Sequence, residues 1–128
     1  MLWERVVVKN HERVLLVRNQ RFDRILMPGE YCVGVPPNQS LTAERHDARK
    51  LVFQSVWADY LVRQRPDVVN RYFTVVETGE TEVAMVYVNG ELFRVLAPAK
   101  RLLFWRGLAD VVAEVVTVVA DTAETLTK

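Results

Sequence analysis

A shift of 70 positions brings residues 4–48 onto residues 74–118 without a gap, the pattern expected of a chain built from two copies of one unit. The identical pairs are Val6/Val76, Glu12/Glu82, Asn19/Asn89, Arg24/Arg94, Leu26/Leu96, Pro28/Pro98, Ala43/Ala113 and Glu44/Glu114. In the first copy Val14–Val17 leads to Asn19-Gln20, then Phe22–Leu26, then Pro28-Gly29. In the second, Ala84–Val88 leads to Asn89-Gly90, then Leu92–Leu96, then Pro98-Ala99. Both read as strand, two-residue turn, strand and Pro-initiated turn. Asn-Gly suits a hairpin turn because both residues must take positive φ, which Asn and Gly tolerate best. Gln20 is a poorer second residue, since its Cβ is strained where glycine is free.

A third strand is predicted after each Pro turn, over Glu30–Val35 and Arg101–Trp105, giving two meanders. A fourth is predicted over Leu41–Asp47 and Val111–Val119. Glu44, Arg45, His46 and Asp47 make the former polar, which fits a sheet edge. The latter is rich in β-branched residues and is expected to be half-buried or fully buried. Between the copies, Phe53, Val56, Trp57, Tyr60 and Leu61 recur at helical spacing, with Ser55 as a cap. Pro66 opens a second helix, Pro66–Tyr72, with Asp67 in its first turn and Arg63, Arg65 and Arg71 on the solvated side.

The predicted fold class is α+β, mainly β. It consists of two repeated antiparallel strand–hairpin–strand units, about 4–48 and 74–118, with a helical connection at about 51–72. A unit of about 45 residues is too small to stand alone, so a single domain over 1–128 with one shared core is expected.

Seventeen Lys and Arg against 16 Asp and Glu leave a net charge of +1, with no general attraction to nucleic acid or anionic lipid. Cys32 is the only cysteine, so no internal disulfide can staple the chain. No apolar run reaches the roughly 18–20 residues that cross a bilayer, and charge appears too early at the N-terminus for a signal peptide. A cytoplasmic protein is expected.

No catalytic, cofactor-binding or metal-binding residues are assigned. Cys32, between Tyr31 and Val33 in a predicted strand, reads as structural, because a nucleophilic thiol needs a base or helix N-terminus beside it. His11 and His46 are too few and too far apart for a metal site. Glu77, Glu80 and Glu82 around Thr78-Gly79 read as a solvated turn and lack the ligand density of a calcium loop. Gly79, Gly90 and Gly107 stand singly, so no phosphate-cradling loop is expected. Lys100–Arg106 interleaves basic residues with aromatics, a pattern that suits single-stranded nucleic acid or a membrane surface. Strand periodicity nevertheless sets Arg101, Leu103 and Trp105 opposite Leu102, Phe104 and Arg106, as in a core strand. Arg24 and Arg94 fall on the solvated hairpin face.

The run from Glu12 through Asn19-Gln20 and Phe22-Asp23-Arg24-Ile25-Leu26 to Pro28-Gly29-Glu30-Tyr31 resembles the opening of the stomatin–prohibitin–flotillin (SPFH) superfamily, and its bacterial slipin branch in particular. Glu82–Trp105 is similar to the same segment, with Ala99 in place of the turn glycine. The resemblance implies a non-enzymatic, membrane-associated scaffold that oligomerises and gathers protein partners. Neither a hydrophobic anchor nor a long charged helix accompanies the β-rich part. Asp121–Lys128 trails off without a structural ending, so the chain is expected to be the N-terminal piece of a longer protein, oligomeric in full-length form. Membrane contact is expected to be indirect or through other segments, at the inner face.

The function expected is a protein-interaction or self-assembly module, since open sheet edges recruit strands. No cofactor and no nucleic acid are expected. The alternative is a small enzyme or ligand-binding domain with an unrecognised pocket near Cys32, His46, Asp47 or the Glu77–Glu82 turn.

Overall fold

In the computed structural model, which describes residues 1–118, the chain is mainly β with antiparallel sheets. It divides into two compact units, Met1–Leu51 and Val52–Lys128. The end of the predicted fourth strand, Val119, and the stretch Asp121–Lys128 lie outside the described residues.

Unit 1 contains β1 (Leu2–Val8), β2 (Glu12–Arg18), β3 (Arg21–Leu26), β4 (Gly29–Val35), β5 (Leu41–Asp47) and a 3-10 turn at Ala48–Lys50. It is not the meander expected from the sequence. β2 lies between β3 and β5, and β4 leaves β3 to pair with β1. Burial explains the departure. Pairing β4 with β1 builds a second layer that places Val6, Val8 and Val33 with Val14, Leu16 and Leu26 in one apolar cluster. Arg18 and Arg45 tie the layers together by donating to the carbonyls of Gly34 (2.8 Å) and Val7 (2.9 Å). β5 is a sheet edge, as its charges predict.

Unit 2 contains α1 (Ala58–Gln64), α2 (Pro66–Tyr72), β6 (Phe73–Glu77), β7 (Glu82–Val88), β8 (Glu91–Leu96), β9 (Arg101–Trp105) and β10 (Val111–Thr117). β7 lies between β8 and β10, and β6 pairs with β9. Leu103, Phe104 and Trp105 are all buried, so both faces of β9 are covered, as a core strand requires. Phe73, Trp105 and Phe53 form a triangle with ring centroids 4.6–5.2 Å apart.

Hydrogen bonding repeats at the 70-residue offset in detail. The β2–β3 register Val14↔Leu26 becomes Ala84↔Leu96 between β7 and β8, and the irregularity at Leu16/Val17 returns at Val86/Tyr87. Asn19 exchanges two bonds with Ser40, and Asn89 exchanges the same two with Asp110, at 2.8–3.0 Å. Glu12 accepts from the Lys9 N–H at 3.0 Å, and Glu82 from the Gly79 N–H at 2.7 Å. These contacts explain why Asn and Glu stand at those positions. The Lys9 bond also holds the Glu12 carboxyl below its ordinary pKa.

The gap-free alignment fails over one strand. Val6 pairs with Tyr31, but Val76 pairs with Leu102, so the third strand is displaced by 71 positions. Ala97–Lys100 is a longer turn than Met27-Pro28. Thr78, at the position of Val8, serves it: the hydroxyl donates to the Ala97 carbonyl (2.7 Å) and accepts from the Lys100 N–H (3.0 Å). The hydroxyl answers polar groups that the shorter turn does not have.

The first helix is shorter than its apolar spacing predicts. Phe53 donates its N–H to the Leu103 carbonyl at 2.8 Å, Val52 bridges to Phe104, and Val56 is 91% exposed. The Ser55 hydroxyl accepts from the Trp57 N–H at 3.1 Å and sets the turn into α1. Strand pairing thus captures Phe53 before a helix can start. α2 matches Pro66–Tyr72, with Asp67 in its first turn.

Asn19 and Gln20 take φ of +50° and +62°, and Asn89 and Gly90 take +52° and +85°. Gln20→Gly is therefore expected to stabilise the chain by about 0.5–1 kcal/mol, read as a higher midpoint in urea unfolding. An unchanged or lower midpoint contradicts the strain argument.

Candidate functional site

The residues singled out for chemistry are dispersed. Val33 faces the interior, so Cys32 points outward on β4, opposite Arg5 and next to Glu30, and is exposed. The expectation of a packed structural cysteine is corrected by this strand parity. His46 lies on a different sheet, part-buried, its Nε2 2.6 Å from Glu44 Oε1. Glu77, Glu80 and Glu82 belong to unit 2, where Glu82 closes its own turn. Among the described residues, no group of three or more His, Cys, Asp and Glu is arranged to hold a metal.

Asp47 is committed to structure. It accepts from the Arg49 N–H at 3.0 Å and from Arg49 Nε and Nη2 at 2.9 Å each. These bonds hold its carboxyl down to about 2, against an ordinary 3.8. A depressed carboxylate pKa means the clamp is fully formed above pH 4 and is lost as pH falls through 2. An NMR titration of the Asp47 carboxyl is expected to show that low midpoint, and a midpoint near 4 contradicts the clamp.

Arg13 was not anticipated from its place in a strand pattern. It is 5% exposed on β2; its Nη1 donates to the carbonyls of Asn10 and Glu12, and Nε finds no partner among the described residues. Burial pushes its pKa down. Arg24 and Arg94 are exposed, as expected. Phe104 and Trp105 are buried, so the basic–aromatic run offers neither ring to a nucleotide base.

Two clefts are lined by described residues. One of about 460 Å³ is lined by Val88, Asn89, Glu91, Leu92 and Phe93, and one of about 260 Å³ lies beside Met1, Leu2 and Pro36–Gln39. Neither contains Cys32, His46 or Asp47.

The sheet β8–β7–β10 of unit 2 exposes several apolar side chains on one face. Its outward face carries Leu92, Val95, Val112 and Val116, which are 40–57% exposed, with Met85 and Tyr87 half-buried between them and the exposed Glu114 opposite Met85. The corresponding positions of unit 1 are different: Leu15 and Ile25, in place of Met85 and Val95, are buried. β10 was expected to be half-buried or fully buried and is instead an exposed edge, paired among the described residues with β7 alone. Its β-branched run satisfies strand propensity, which does not require burial.

That edge has little protection. β5, in the same register against β2 as β10 against β7, carries Glu44, Arg45, His46 and Asp47. β10 carries Glu114 as its single charge, with no Lys and no Pro. Sheet edges of that composition present unpaired N–H and C=O groups to any incoming strand. Comparison with protein-family models, curated proteins and solved structures found no match to this chain.

Proposed function

We propose that this chain is a non-enzymatic assembly and protein-interaction module, and that the open sheet of unit 2 is its docking surface. The single observation behind the reading is β10, an exposed edge strand with one charge, Glu114, beside an outward face of half-exposed aliphatic side chains. An apolar surface of this kind is stabilised by covering it, and an open strand edge by pairing it.

The hairpin pattern that resembles SPFH and slipin proteins supports assignment as the N-terminal part of a membrane-associated scaffold. Under that reading the protein is cytoplasmic, sits at the inner face of the membrane and oligomerises at full length. No described helix is long and apolar enough to cross a membrane, so attachment would come from other segments or from partners. The reading includes duplication: the hydrogen bonds repeated at a 70-residue offset support two copies of one unit.

Light scattering from dilute solution to the solubility limit tests the assembly role. The mass is expected to rise with concentration for the natural sequence, and to stay at one chain for Val112→Lys/Val116→Lys, which charges the docking face. A mass fixed at one chain for the natural sequence overturns self-assembly.

A further inference from the structure

We infer that the β10 edge pairs with the β10 edge of a second copy, antiparallel about a two-fold axis through Glu114. The inference rests on the assembly reading and names the partner.

A two-fold strand joint requires a strand that matches itself reversed. Val111–Thr117 has that property. Centred on Glu114, the pairing sets Ala113 against Val115 of the second copy, Val112 against Val116, and Val111 against Thr117. Every cross-strand pair apart from the central one joins small or β-branched side chains, the residues that pack best on a pleated surface. A partner strand of mixed charge would gain nothing here, because the edge offers it a single carboxylate to answer. β5, the equivalent edge of unit 1, reads Leu-Thr-Ala-Glu-Arg-His-Asp, and its reversal pairs Thr42 with His46 and Ala43 with Arg45. Self-pairing is therefore a property of β10 and not of the repeated unit in general.

Size points the same way. A face of three strands of about seven residues each measures about 14 Å by about 24 Å, roughly 340 Å², well short of the ~800 Å² per partner of a stable interface. Joined edge to edge, two copies form one six-stranded sheet in the order β8–β7–β10–β10–β7–β8. The outward residues Leu92, Val95, Val112 and Val116 of both copies then share one face of the joined sheet, with the two Glu114 side chains at its seam. An edge joint of this size gives a reversible dimer. Glu114 faces its own counterpart at the axis, and like charges opposite one another weaken a strand pair. Glu114→Gln is expected to tighten association by up to about five-fold.

The direct test is cross-linking of the Cys32→Ser/Glu114→Cys chain under mild oxidation by copper–phenanthroline. Facing Cα atoms in an antiparallel pair are about 4.5–5.5 Å apart, inside the range a disulfide spans. A covalent dimer is expected from this variant and not from Cys32→Ser/Arg24→Cys, which places the thiol on β3. Circular dichroism establishes that both variants fold. A dimer from Cys32→Ser/Val115→Cys in place of the Glu114 variant overturns the stated register. Absence of any dimer at concentrations where light scattering shows association overturns β10 pairing and leaves the assembly reading standing. A chain that scatters as a monomer throughout overturns both.

Discussion

Trp105→Ala is expected to lower the unfolding free energy by about 3–5 kcal/mol, the largest loss of any single truncation in unit 2. Trp105 is 2% exposed and completes the triangle with Phe53 and Phe73, including an edge-on contact to Phe53. Removing the indole loses its transfer free energy and leaves a cavity between two rings that backbone pairing holds in place. Phe73 is fixed by its β6 register with Trp105, and Phe53 by its N–H bond to Leu103. Neither ring can move far to fill the space. Since whole domains hold only about 5–15 kcal/mol, much of the stability is lost. Val95→Ala, at a 56% exposed position, is expected to cost less than about 0.5 kcal/mol. Urea unfolding of the two variants separates them, and equal costs contradict the core assignment.

Leu16→Ala is expected to cost about 2–5 kcal/mol. Leu16 is fully buried at the centre of the unit 1 cluster, among Val6, Val8, Val14, Leu26 and Val33. Four of those neighbours are valines, whose branched side chains have few alternative rotamers with which to fill the gap. A loss below about 1 kcal/mol would mean that the two layers of unit 1 do not close as described.

The sequence made the hairpins legible because their turns require specific residues. Asn19, Asn89 and Gly90 adopt the left-handed conformations that their identities predict. Pro66 and Asp67 announced α2 by the same chemical directness. The third strands were found in place but not in partnership, since local pattern does not say which edge a strand will join. Val33 favours β1 only because Val6 and Val8 are there to be covered with it. The one-residue displacement of β9 escaped notice because a longer turn costs the alignment nothing, while Thr78 absorbs its polar groups. Periodicity misled at Phe53, which satisfies helical spacing yet is held by a strand. It misled again at β10, where composition speaks for conformation and is silent about what lies on the strand's far side.

For the candidate site, the sequence excluded more than it located. His46 and Asp47 were visible as residues, but their engagement with Glu44 and Arg49 follows from strand parity and a local turn. The open face of β8–β7–β10 depends on Leu92, Val95, Val112 and Val116 sharing one side of a sheet, which requires the register of two ladders.

Hydrogen exchange of the β10 amides as a function of protein concentration tests the docking edge most directly. Alternate N–H groups over Val111–Thr117 point to β7 and the others away from it, toward the open side. The outward set is expected to exchange fast in dilute solution and to become protected as concentration rises, while the inward set changes little. Outward amides that exchange at the same fast rate at every concentration would contradict a pairing edge on this sheet.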